Sequence, residues 1–222
     1  MTRRRPGPAL TLIRDATRLA PVPLVPEIRL HQAREPISLW EHTEQAVGQT
    51  GLAPPFWGFA WPGGQALARY LLDHPEVASG QQVVDLGSGS GLVAIAAARA
   101  GAASVTAYDT DPLATEVTAI NAAANGEAVT AICADVLDDA DLPAAGTGLV
   151  LAGDAFYQRD LADRVMRFLL RARGRGAAVL IGDPGRAYLP RDRLVPLAAY
   201  DVPGLAALED ADRKHNTVWR PA

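Results

Sequence analysis

The chain is poor in sulfur and almost without lysine. One cysteine, Cys133, in 222 residues excludes an internal disulfide and a cysteine-based metal cluster. Lys214 is the single lysine, against many arginines and alanines, a bias typical of a GC-rich bacterial genome. His31, His42, His74 and His215 are scattered, with no His-x-x-x-His or His/carboxylate grouping, so no metal is expected. No apolar run approaches the ~18 residues of a membrane helix, and the N-terminus lacks a signal-peptide core. The net charge of −4 provides no basic field to recruit nucleic acid or anionic lipid. Arg3 to Arg5 read as a solvated end rather than a binding arm. No G-x-S-x-G is present, and Cys133 is expected in the core of a strand rather than as a nucleophile. What remains is 49% apolar and 21% charged, the mix of a soluble globular protein. The expectation is a cytoplasmic monomer with one main domain and no membrane or nucleic-acid partner.

The first 55 residues read as an N-terminal cap: a helix around Leu10 to Leu19, an extended piece at Glu27 to His31, and a helix around Trp40 to Val47. From Phe56 the pattern becomes regular. Strands are expected at Gln82–Leu86, Ser104–Tyr108, Val129–Cys133, Gly148–Ala152 and Ala177–Ile181. Helices are expected at Gln65–Leu72, Leu92–Ala100, after Asp111, and at Leu161–Arg171. Asp111, Pro112 and Asn125-Gly126 supply the cap, first turn and stop of the third helix. Its apolar stripe is Leu113, Val117, Ile120 and Ala124. Short apolar strands alternating with helices imply a doubly wound, mainly parallel α/β sheet. Leu194–Val202 and Thr217–Trp219 add an antiparallel C-terminal hairpin.

V-V-D-L-G-S-G-S-G, Val83 to Gly91, places three glycines at alternate positions after the first of these strands. A parallel sheet binds ligands beyond the carboxyl ends of its strands, so bare backbone there marks a binding loop. A dinucleotide loop needs a glycine at the sixth place, here Leu92, and a P-loop needs a lysine that is missing. The stretch D-L-G-S-G-S-G instead resembles the nucleotide-binding loop of class I, seven-strand S-adenosylmethionine-dependent methyltransferases. The resemblance runs from about Phe56 to the C-terminus. It implies that S-adenosylmethionine is held by Asp85, Gly87, Ser88, Gly89 and Gly91. Asp109, at the end of the second strand, would hold the ribose, and Asp135, after the third, the adenine. Each aspartate alone is more often structural; three at successive strand ends, with the loop, point to a cofactor site.

After the fourth strand, D-A-F-Y (Asp154 to Tyr157) resembles the D-x-x-Y of many protein-lysine methyltransferases, and F-W-G-F-A-W-P-G-G (Phe56 to Gly64) resembles their W-x-x-W-P segment. P-E-I-R-L-H and L-W-E resemble the N-terminal region of the electron transfer flavoprotein β-subunit lysine methyltransferases and their bacterial relatives. The resemblance implies Asp154, Phe156 and Tyr157 at the acceptor, with Trp61 beside the cofactor or packed over it, and that β subunit as protein partner. A carboxylate can orient an amine and aromatic rings can wall its aliphatic stem. A small-molecule amine methyltransferase, a ribosomal-protein methyltransferase and a non-catalytic or NAD-binding module are the alternatives, because the fold sets the cofactor rather than the acceptor.

Overall fold

The structure, a computed structural model, describes residues 13–33, 39–40, 43–44, 54–203 and 213–222. Its centre is a seven-stranded sheet in the order β5-β4-β3-β6-β7-β9-β8. The strands are β3 (Gln82–Leu86), β4 (Ser104–Asp109), β5 (Thr130–Cys133), β6 (Thr147–Gly153), β7 (Ala178–Asp183), β8 (Leu194–Pro203) and β9 (Arg213–Pro221). β3 to β7 run parallel, and β9 enters antiparallel between β7 and β8. The helices flanking the sheet are α1 (Pro62–Asp73), α2 (Leu92–Arg99), α3 (Pro112–Asn125) and α4 (Arg159–Gly174).

Alternation along the strands builds two cores. Val83, Val105, Leu149, Leu151 and Leu180 face α1 and α2, while Val84, Leu86, Val150, Ala152 and Ile181 face α4. Strands covered on both faces must be apolar at every position, hence the continuous V-V, L-V-L-A and V-L-I runs. The order reverses at β3, where β4 continues one way and β6 the other. The carboxyl ends of β3 and β6 therefore stand side by side at the crevice where ligands enter such sheets.

The N-terminal region departs from expectation. Residues 13–16 are helical, but the chain then extends into β1 (Thr17–Pro21), paired antiparallel with β2 (Arg29–Ala33). The β-branched Thr17 turns its hydroxyl back to Ile13 O and meets His31 Nδ1 at 2.9 Å, so strand pairing overrides the helical pattern. Of the helix expected at Trp40–Val47, residues 40, 43 and 44 are helical and the rest lie outside the described residues, as do residues 10–12. The hairpin is fastened to α3 by two amides. Asn125 accepts from Arg29 N at 2.9 Å and donates to Arg29 O at 2.7 Å; Asn121 accepts from His31 N at 2.8 Å.

Two further expectations are corrected. Cys133 is exposed, because β5 is the edge of the sheet. In α3 the buried face is Ala114, Val117, Thr118, Asn121 and Ala122. Leu113 and Ile120 are only partly covered, by a small cluster with Ile13, Leu39, Trp57 and Phe59. The apolar stripe serves the N-terminal region, and the polar face serves the loop after β3. The capping of α3 by Asp111, Pro112 and left-handed Gly126 is as expected.

Candidate active site

The carboxyl ends of the parallel strands open onto a cleft of about 640 Å³, within the range of cofactor sites. At one end is the loop after β3. Gly87, Gly89 and Gly91 have φ of 64°, 50° and 79°, where any Cβ is costly. Their surroundings differ. Around Gly87 and Gly89 a Cβ would find open space, whereas at Gly91 it would meet Thr118 at 2.9 Å. The first two line the cleft; Gly91 does not. So Gly87 and Gly89 present bare backbone to a ligand, and Gly91 lets the loop sit close on α3. That seat is polar. Thr118 Oγ1 lies 3.2 Å from Ser88 Oγ and donates to Gly89 O at 3.3 Å, and Asn121 donates to Ser90 O at 2.8 Å. Ser88 faces this seat rather than the cleft lining.

Asp109 closes the loop from the β4 side. Its Oδ2 accepts from Gly89 N at 2.8 Å and its Oδ1 from Asp111 N at 3.0 Å, and it lines the cleft. Asp135 also lines it, with both oxygens on Arg164 Nη2 at 3.0 and 2.9 Å. Asp85 is elsewhere: fully buried behind the loop, it accepts from Ala94 N at 3.1 Å. Burial pushes its pKa up to about 8, the Ala94 hydrogen bond opposes this, and the charge of Asp109 adds to it. The Asp85 hydrogen bond pins the strand end to the first turn of α2.

The other end is assembled from three separated segments. Asp154, following β6, is the only non-glycine with positive φ among the described residues, at 55°; Asp tolerates that region better than most. Its amide donates to Gly182 O at 2.9 Å, its Oδ2 accepts from Gly64 N at 2.8 Å, and its Oδ1 accepts from Arg186 Nη2 at 2.7 Å. Burial raises its pKa to about 6 against the lowering charge and hydrogen bond of Arg186, with Asp183 adding to the rise. The P-G-G at the start of α1 is explained here: a Cβ on Gly63 would lie 2.3 Å from Gly182 O and 2.7 Å from Asp154 Oδ2.

Aromatic rings line the same cleft as this carboxylate. Trp61 donates its indole N–H to Phe56 O at 2.8 Å and meets Phe56 edge-on at 5.7 Å. Tyr157, 44% exposed, lies 5.9 Å from Phe56. Burial, then the charge of Asp109, pushes the Tyr157 phenol up, so it is a hydrogen-bond donor at neutral pH rather than a base. Trp57 is buried yet borders the cleft; Phe156 is fully buried in the α4-facing core and does not. Sequence reasoning brought Gly87, Gly89, Asp109, Asp135, Trp61, Asp154 and Tyr157 to one cleft. It missed Arg164 and Arg186. The signal for Arg186 was available: D-P-G-R follows β7, and loops at that end of a parallel sheet rim the same crevice.

Comparison with known proteins agrees with this geometry. Residues 65–152 match the family model of ribosomal protein L11 methyltransferase (PrmA). Over 205 residues the chain is 38% identical to the electron transfer flavoprotein beta subunit lysine methyltransferase of Xenopus laevis, covering 89% of this chain and 80% of that protein. The chain belongs to the electron transfer flavoprotein β-subunit lysine methyltransferase family. Identity to the human member is 35% over 212 residues, covering 88% of this chain and 75% of that one. Members of this family are class I S-adenosylmethionine-dependent enzymes that methylate protein lysine. Two solved structures show the same fold. One is a candidate RNA methyltransferase of Pyrococcus horikoshii, with TM-score 0.54, 19% identity and coverage of 77% of this chain and 87% of that one. The other is the Pyrococcus abyssi tRNA (uracil-54, C5)-methyltransferase in complex with S-adenosyl-L-homocysteine, with TM-score 0.50, 18% identity and coverage of 69% and 38%. The L11 family match stops at Ala152, before Asp154, so it includes the glycine loop and leaves out the aspartate that the lysine methyltransferase relatives' alignment, over 89% of the chain, reaches.

Proposed function

We propose that this lysine methyltransferase acts on the β subunit of an electron transfer flavoprotein, with the donor on the β3/β4 side of the cleft and the acceptor lysine on the β6/β7 side. One observation carries the reading. A glycine loop open to ligand, a buried carboxylate and the rings of Phe56, Trp61 and Tyr157 all line one cleft.

The residues present fit S-adenosylmethionine. Gly87 and Gly89 leave room that a side chain would fill, and Asp109 and Asp135 supply hydrogen-bond acceptors for ribose hydroxyls and an adenine amine. Bound there, the sulfonium supplies an electrophilic methyl group. The chain's own work is alignment. Asp154 accepts a hydrogen bond from the acceptor amine and orients its lone pair. Phe56, Trp61 and Tyr157 wall the aliphatic stem and keep bulk water from it. A lysine amine, with a reference pKa of ~10.4, must lose its proton first. Asp154 favours the charged form, so the partly buried aromatic surroundings must oppose it and the proton leaves to water. Asp85, Ser88 and Gly91 act from behind, by holding the loop's shape, and Phe156 by fixing the backbone between Asp154 and Tyr157. In the same reading residues 1–55 form a cap, and the enzyme is a cytoplasmic monomer of bacterial origin, which the arginine-for-lysine bias supports.

The test is intact mass spectrometry of purified electron transfer flavoprotein after incubation with enzyme and S-adenosylmethionine. Stepwise methyl gain on the β subunit, much slower with Asp154→Asn, is expected. Undiminished cofactor binding with no gain on that subunit would assign the enzyme to another protein acceptor.

A further inference from the structure

Arg186 stands where the mechanism has no use for a fixed cation. Its guanidinium carbon lies 5.7 Å from the ring centroid of Trp61, and its Nη2 lies 2.7 Å from Asp154 Oδ1. Carboxylate plus indole face is the chemistry that recognises an alkylammonium. If Asp154 receives the acceptor amine, the protein already holds a cation of its own on that carboxylate.

Around it the polar bookkeeping is incomplete. Arg186 Nε and Asp183 Oδ2 are both buried without a hydrogen-bond partner, a condition that costs free energy while it lasts. Asp183 Oδ1 already accepts from the backbone N–H of Gly185 and of Arg186 itself, each at 2.7 Å. Between them Gly185, at φ 88°, has conformations open to it that no other residue shares. A second resting place for the guanidinium is therefore at hand, on a carboxylate at the foot of its own loop.

We propose that Arg186 is a built-in stand-in for the acceptor lysine: it occupies the Asp154–Trp61 seat in the free enzyme and yields it to an incoming alkylammonium by turning toward Asp183. This rests on the reading that Asp154 faces the acceptor. The masking has a use. Without an acceptor the cleft presents a paired carboxylate, so a stray amine or water must displace a cation to approach the donor. It also sets specificity, because only an acceptor that brings further contacts to the rim can afford the exchange. Arg186 here is a competitor for the seat and a positioning residue for Asp154.

The probe is n-butylammonium, which carries the end of a lysine side chain and nothing else. Its affinity for the S-adenosylhomocysteine-loaded enzyme is measured by calorimetry at pH 8, for the parent and for Arg186→Met, Arg186→Lys, Asp183→Asn and Asp154→Asn. The expected order is clear. Arg186→Met binds about fivefold tighter than the parent, Asp183→Asn binds weaker because the stand-in has nowhere to go, and Asp154→Asn loses binding. Arg186→Lys keeps a cation and stays near the parent. The acid limb of binding gives a second readout. Asp154 is faced by Arg186 and Asp183 from the β7 side and by Gly64 N–H from α1. Removing Arg186 takes away a lowering charge, so the limb moves to higher pH in Arg186→Met, which a merely structural loss would not do. Equal or weaker binding in Arg186→Met, with a melting temperature near the parent's, overturns the proposal. So does the absence of butylammonium binding in every variant. If the parent still methylates protein lysine in that case, the acceptor reading survives and the stand-in alone falls.

Discussion

The two ends of the cleft are built on opposite plans. In the proposed reading the donor end is one continuous stretch of backbone, Gly87 to Gly91, held from behind by short polar side chains of α3 and from beside by Asp109. Its shape is set by three left-handed glycines. The acceptor end is gathered from residues 56–64, 153–157 and 183–186, and its substance is side chains: three rings, two buried carboxylates and a guanidinium. One end is specified by conformation and the other by buried charge. Backbone shape suits a ligand common to a whole superfamily, while side-chain chemistry can be rewritten as acceptors change.

The largest effect that would test this contrast is at the donor end. Gly91→Ala combines an unfavourable φ with a contact at Thr118, and we expect a loss of about 2–4 kcal/mol in urea unfolding. Gly87→Ala, with the same kind of φ but open space, should cost only about 1 kcal/mol in stability while still impairing cofactor binding. If the two cost the same, the distinction between seat and surface is wrong. Next comes Asp109→Ala, which releases Gly89 N–H and Asp111 N–H together. Calorimetric affinity for S-adenosylmethionine should fall about 10- to 100-fold; an affinity equal to the parent's would remove Asp109 from the ribose role.

Asp154→Asn is the matching change at the acceptor end, because Asn also tolerates left-handed backbone; the charge is lost together with one of the two hydrogen bonds accepted from Gly64 N–H and Arg186. Turnover should drop about 10- to 100-fold with cofactor affinity nearly unchanged. The parent's turnover should fall as pH drops through about 6, where Asp154 takes its proton, and that limb should be missing from whatever activity Asp154→Asn retains. The last comparison is read against pH and lies on the side of the glycine loop again. Burial puts the folded pKa of Asp85 at about 8 against an ordinary 3.8, so between those values the folded protein holds a proton that the unfolded chain has lost. Its contribution to stability is complete at low pH and is lost as pH rises toward about 8. Asp85→Asn does not titrate and should flatten that slope in pH-dependent melting. An unchanged slope would mean that Asp85 is ionised when folded.

The same contrast explains what was legible. Glycines in a row and the apolar runs around them have one interpretation each, so the sheet and its loop could be read from the sequence. Asp154 and Tyr157 were readable only through resemblance, and their surroundings were not. Nothing local in D-P-G-R says that Arg186 reaches back 32 positions to Asp154; the contact exists because β6 and β7 are neighbours. Thr118 and Asn121 were passed over because an apolar stripe is the usual sign of a buried face, and here the polar face is buried against a polar loop. Thr17 to Leu19 was misread as helix because pairing with β2 depends on residues a dozen positions away.

β9, the last strand of the chain, does not lie at the margin of the sheet but between β7 and β8. Asp183, whose carboxylate organises the Arg186 loop, is paired with Thr217. On a ribosome, the glycine loop has its neighbours β4, β6, α2 and α3 before β9 emerges, whereas β7 keeps an open edge until β9 is made. Donor capacity can therefore precede acceptor capacity during synthesis, and a chain that stops short of Arg213 would retain the complete glycine loop while leaving the Asp183 strand unpaired on that side.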